Sequence, residues 1–95
     1  NFNAGEVSIV AGKVIKEEDA KLYVWDDYGK TGVEYYLNRY GVPFEWFKDV
    51  SQLQCRSIIL SNNKKETERF LNQKNIPFEK MLKPEFQYNL YLVNN

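Results

Sequence analysis

Two short polar segments carry the side chains best suited to chemistry: Asp26-Asp27-Tyr28-Gly29-Lys30-Thr31 and Ser61-Asn62-Asn63-Lys64. Each follows an apolar run, Leu22-Tyr23-Val24-Trp25 in the first case and Ile58-Ile59-Leu60 in the second. Carboxylates beside a lysine and hydroxyls suit phosphate binding, metal-assisted phosphoryl transfer or the orientation of a small ligand. The candidate ligand-binding residues are therefore Asp26, Asp27, Tyr28, Lys30, Thr31, Ser61 and Asn62. No catalytic residue, metal ligand or cofactor is assigned. The sequence has no histidine, which excludes Ser-His-Asp chemistry, Cys-His pairs, His-ligated zinc and the usual pH switch.

Specific chemistries fail on spacing. Gly29-Lys30-Thr31 resembles the end of a P-loop, but the required first glycine would stand at Val24, and two carboxylates would repel a phosphate. The glycine-rich dinucleotide fingerprint is missing. Strands ending in Asp26 and in Ser61-Asn62 resemble two motifs of the haloacid-dehalogenase type of metal-dependent phosphoryl transfer. That type needs a second aspartate where this chain has Tyr28, and a later acidic pair where it has only Glu79 and Glu85 in other contexts. A thioredoxin-like reading needs a cysteine near Lys30, whereas the one cysteine is Cys55, which also rules out an internal disulfide. The plainest account needs no ligand: Asp26 and Asp27 cap or solvate a loop, Lys30 is a surface charge, and Asn62-Asn63 are turn and cap residues.

The elements that position these segments are legible from periodicity. Val7, Val10, Ala11, Val14 and Ile15 form one helical stripe, started near Asn3 and Glu6 and ended by Lys16-Glu17-Glu18-Asp19. Gly5 and Gly12 each weaken that helix by about 1 kcal/mol relative to alanine. A strand over 22–25 precedes a second helix, with Thr31 and Glu34 at capping-box spacing and Val33, Tyr36, Leu37 and Tyr40 on its apolar stripe. Gly41 suits a left-handed cap, Pro43 stops the helix, and residues 44–50 read as a second strand. The pattern then recurs: a strand over 57–61, a helix capped by Asn63 with Phe70 and Leu71 facing inward, Asn75 in the place of Gly41, and Ile76-Pro77-Phe78-Glu79 in the place of Val42-Pro43-Phe44-Glu45. At an offset of 34, residues 34–45 and 68–79 agree at six of twelve positions, from duplication or from one steric problem solved twice. Phe86, Tyr88, Leu90 and Leu92 alternate with Gln87, Asn89, Tyr91 and Val93, as in a half-buried last strand.

These elements predict one α/β domain over 1–95: a small three-layer, Rossmann-like sheet of two tandem βαβ-like units plus an N-terminal helix. The expected strand order is 2-1-3-4-5, with strand 5 antiparallel at the edge and a helical turn within 51–56 crossing the sheet. Strands 1 and 3 are then neighbours whose connections leave in opposite directions, a topological switch point where open α/β sheets bind ligands. Most of Trp25, Phe44, Trp46, Phe70 and Phe78 are expected in the core. Tyr28, Tyr35 and Tyr91 are expected to be exposed, where tyrosine can stack on sugar rings or anchor an interface.

Composition narrows the partners. Thirteen basic and thirteen acidic residues leave no net charge, which argues against nucleic acid. No apolar run approaches a membrane span, and the only methionine is Met81, as expected of a piece of a longer protein.

The helix leading to a strand that ends in aspartate, the helix carrying Glu34-Tyr35-Tyr36-Leu37, the strand Ile58-Ile59-Leu60 and the closing Leu90-Tyr91-Leu92-Val93 form a recognisable arrangement. It resembles the soluble C-terminal domain of polytopic membrane glycosyltransferases that use lipid-phosphate-linked sugars, the protein-mannosyltransferase and aminoarabinose-transferase type. The resemblance implies that the catalytic carboxylates belong to the membrane portion, so none is carried over to this chain. It also implies a non-catalytic accessory domain on the extracytoplasmic face, packing on the membrane portion of its own parent or contacting a saccharide acceptor. The alternative is a freestanding small-ligand-binding or phosphoryl-transfer domain using the crevice formed by residues 26–31 and 61–64.

Overall fold

The computed structural model describes residues 4–26 and 32–93. In chain order the elements are α1 (Ala4–Glu17), β1 (Lys21–Trp25), α2 (Val33–Arg39), β2 (Glu45–Trp46), a 3-10 turn (Val50–Gln52), β3 (Ser57–Ser61), α3 (Lys64–Gln73), β4 (Phe78–Lys80) and β5 (Asn89–Val93). The chain is an α/β fold with three helices and a five-stranded mixed open sheet of order β2-β1-β3-β5-β4.

Side chains that alternate along the strands feed two separate cores, as the two-residue period of a pleated strand requires. Leu22 and Val24 of β1, Ile58 and Leu60 of β3, and Leu90 and Leu92 of β5 pack with Val7 and Ala11 of α1 and Val33 and Leu37 of α2. On the opposite face Tyr23, Ile59, Tyr91 and Val93 pack with Leu53, with Leu71 of α3 and with Ile76. Both faces are covered, so all five residues of β3 and all five of β5 are buried.

That double coverage corrects the expected strand order. β5 pairs antiparallel with β3 over its whole length, from Ser57↔Val93 to Ser61↔Asn89, and antiparallel with β4 on its other side. It therefore lies inside the sheet, and β4 takes the edge. The reason lies in the side chains: β5 presents apolar groups on both faces, including the fully buried Tyr91, whereas β4 ends in the exposed Glu79 and Lys80 that suit an edge. The expected exposure of Tyr91 is overturned by the same fact; Tyr35 is exposed as expected. Trp25, Phe44, Trp46, Phe70 and Phe78 are half-buried at the margins of the two cores rather than inside them.

The three helices end alike. Asp19, Gly41 and Asn75 have φ of 52°, 68° and 56°, the left-handed region. The following amides close back five residues: Ala20 N–H to the Ile15 carbonyl (2.9 Å), Val42 to Leu37 (2.8 Å) and Ile76 to Leu71 (2.9 Å). A second bond joins each left-handed residue to the carbonyl three before it, completing a Schellman motif. Because α1 ends this way without sharing the Pro-Phe-Glu sequence, the common geometry answers a common steric need.

Several boundaries differ from expectation, β5 among them, which begins at Asn89 rather than at Phe86. β2 is only two residues long, because the amides of Lys48 and Asp49 donate to the Gln52 side chain (2.6 and 3.2 Å) and Val50 enters the 3-10 turn. That turn supplies the expected crossing and buries Leu53. The N-cap of α2 falls on Gly32 (φ 79°), with no side-chain cap, rather than on Thr31. Tyr40 caps the C-terminus of α2 and is exposed, so it lies outside the expected apolar stripe.

Candidate functional site

β1 and β3 are parallel neighbours in register from Lys21↔Ser57 to Trp25↔Ser61. Asp26 and Asn62, the described polar residues nearest their ends, meet at one rim. The Asn62 amide N–H donates to the Trp25 carbonyl (3.3 Å), and its side-chain Nδ2 donates to Oδ1 of Asp26 (2.8 Å). Asp26 and Asn62 are thus brought together. Asp27, Tyr28, Lys30 and Thr31 lie outside the described residues, as does Asn3.

Ser61 does not face the rim. It is fully buried, and its Oγ lies 2.6 Å from Oγ1 of Thr67 and accepts from the Asn63 amide (3.0 Å). Thr67 in turn donates to the Asn63 carbonyl (2.9 Å). With the Thr67 proton on that carbonyl, the Ser61 proton is directed to Thr67, and the three residues form a closed ring of hydrogen bonds. Oδ1 of Asn63 accepts from the Glu66 amide (3.3 Å), the cap expected for α3. Lys64 is committed too: its Nζ donates to the Pro84 carbonyl (2.8 Å) and to that of Phe86, tying the start of α3 to the β4–β5 connection. A nucleophilic serine needs a base at its hydroxyl; this one has a threonine.

Beside Asp26 the strand ends enclose a shallow cavity of about 340 Å³, lined chiefly by Trp25, Asp26, Phe47, Lys48 and Phe70. Trp25 and Phe47 stack with centroids 5.3 Å apart and planes within 5° of parallel. Phe70 of α3 meets both edge-on, at 5.7 Å and 5.4 Å. The segment bearing Phe47 and Lys48 is held by three contacts. The Phe47 amide donates to the Val24 carbonyl (2.9 Å), the Gln52 side chain bonds Trp46 and Lys48, and Tyr23 Oη donates to the Gln52 carbonyl (3.0 Å). Asp49 caps the 3-10 turn, and the Ser51 hydroxyl and amide hold its carboxyl below the usual carboxylate range. The sequence places Phe47 and Lys48 inside a longer strand over 44–50, which hides them as site residues. The adjacent Trp25-Asp26 pair at a strand end was the available signal.

Other hollows among the described residues lie elsewhere. One of about 470 Å³ opens at the opposite end of the strands, near Lys21, Glu45, Cys55 and Arg56, where Lys21 pairs with Glu45 (2.7 Å) and Arg56 with Glu18. Another, about 320 Å³, runs between α1 and the Tyr40–Pro43 turn. Among the described residues no group of three or more Asp, Glu or Cys side chains is placed to hold a metal, and no helix is long and apolar enough to cross a membrane. No protein-family model matches the chain, and comparisons with curated proteins and with solved structures likewise find no match.

Proposed function

We propose that this chain is a non-catalytic accessory domain of a larger, membrane-embedded glycosyltransferase of the lipid-phosphate-sugar-dependent type. It packs on the transferase portion or contacts the saccharide acceptor on the extracytoplasmic face. The observation that carries the non-catalytic part is the closed Ser61–Thr67–Asn63 ring, which commits the hydroxyl at the switch point to holding α3. The order of elements supports the likeness: α1 leads to a strand followed by Asp26, then come α2 with residues 34–37, β3 with 58–60 and a closing strand with 90–93. Two tandem strand–helix–strand units in a small Rossmann-like layout are the finer reading of the same order.

The parent reading frame tests this proposal. Several apolar spans of about 20 residues each are expected ahead of this segment; a parent frame without them refutes it. The rival, a freestanding phosphoryl-transfer or small-ligand domain, predicts saturable amide shifts confined to residues 26–31 and 61–64 on titration with divalent cations, nucleotides or sugar phosphates. The accessory reading predicts none from cations or nucleotides.

A further inference from the structure

We infer that the cavity at the ends of β1 and β2 is a saccharide subsite, with Trp25, Phe47 and Phe70 as its apolar wall and Asp26 and Lys48 as its polar rim. The inference deepens the accessory reading, on which it rests only for its biological setting; the geometry stands by itself. Three half-buried rings, from β1, from the segment after β2 and from α3, converge on one hollow, although each also closes the margin of a core. Asp26, whose Oδ1 accepts from the Asn62 side chain and whose Oδ2 is buried, and the exposed Lys48 also line it.

A pyranose matches this combination. Its C–H face is apolar and flat enough to lie against aromatic side chains, and its hydroxyls donate to a carboxylate and accept from an ammonium or amide. The volume lies within the range of small-ligand sites. The rim sets one carboxylate against one ammonium, so it carries no net charge to draw an anionic ligand. One carboxylate at the rim provides binding without the paired acid and base that glycoside hydrolysis needs, so the subsite holds a sugar and does not cleave it.

The test is an amide and indole NMR titration of the 95-residue chain with the methyl pyranosides of glucose, mannose and galactose, and separately with inorganic phosphate. At least one glycoside is expected to give saturable shifts at the Trp25 indole, the Phe47 and Lys48 amides and the Asn62 side chain. Asp26→Asn, which keeps the shape, is expected to weaken binding about tenfold, the worth of one charge-assisted hydrogen bond. Phe47→Leu, which keeps an apolar contact and removes the ring, weakens it as well, while Tyr35→Ala on the exposed face of α2 leaves it unchanged. The absence of saturable shifts with all three glycosides overturns the inference. So does equal binding by a well-dispersed Asp26→Asn variant, or a response to phosphate alone. These outcomes leave the parent-frame test untouched, and a parent without membrane spans leaves measured glycoside binding intact, so the two failures are distinguishable.

Discussion

Replacing Gly12 by alanine sets two effects of known size against each other. In an exposed helix the change stabilises by about 1 kcal/mol, because alanine loses less backbone freedom on folding. In this molecule a Cβ on Gly12 would meet Cγ2 of Val42 at 2.9 Å, well inside the roughly 3.5–4.0 Å optimum for carbon pairs. Val42 yields poorly: it is β-branched, and its backbone amide is fixed to the Leu37 carbonyl by the Schellman closure. Overpacking of this kind costs about 1–3 kcal/mol, so the net effect of Gly12→Ala is destabilisation by about 1 kcal/mol. Urea unfolding followed by tryptophan fluorescence is then expected to show a midpoint lowered by somewhat less than about 1 M at unchanged slope, given a slope of about 1–1.5 kcal/mol/M for a chain of this size. In a Val42→Ala background the obstacle is gone, and Gly12→Ala is expected to stabilise by about 1 kcal/mol, a change of sign that a double-mutant cycle reads directly. A raised midpoint for Gly12→Ala in the otherwise native chain would refute the assigned contact between α1 and the Val42 turn.

Two further expectations concern backbone and protonation. Gly41→Ala places a Cβ at φ 68° with open space around it, so its loss of about 1 kcal/mol comes from the left-handed backbone alone. Asn75→Gly at φ 56° gains stability by up to about 1 kcal/mol by the same argument; thermal melts of both variants check the pair. For Tyr91, burial first and then the Glu68 carboxylate, which accepts its hydroxyl at 2.8 Å, hold the phenol protonated well above the ordinary range. An unfolded tyrosine loses its proton near pH 10, so above about pH 10 the folded state binds the extra proton and stability falls as pH rises. Below that pH the contribution is constant. The alkaline decline in urea midpoint is expected to be shallower in Tyr91→Phe, and an identical decline in both proteins would contradict the assignment.

Local signals are legible where short-range physics decides. β3 spans the expected 57–61, and Asn63, Gly41 and Asn75 cap their helices as their chemistry suggests. Long-range pairing was less accessible. Asn89 and Tyr91 looked like the wet side of an alternating strand, yet Asn89 bonds within the sheet region to Leu82 and Tyr91 reaches Glu68 from a second core. Alternation of polar and apolar types implies one dry face only when the polar members have no partner inside, and these have partners. The juxtaposition of Asp26 and Asn62 followed from two strands read correctly as parallel neighbours. The aromatic wall was hidden because Phe47 and Phe70 meet only after β2 has ended early and α3 has crossed the opposite face.

The insertion of β5 between β3 and β4 bears on how the chain is made. The strand that joins the two halves of the sheet leaves the ribosome after every element it touches. Until it arrives, β3 offers an open row of amides and carbonyls along its Ile58-Ile59-Leu60 edge, a template for unwanted association. The nascent chain thus passes through a stage in which a chaperone, or any stray extended peptide, can occupy the slot kept for β5.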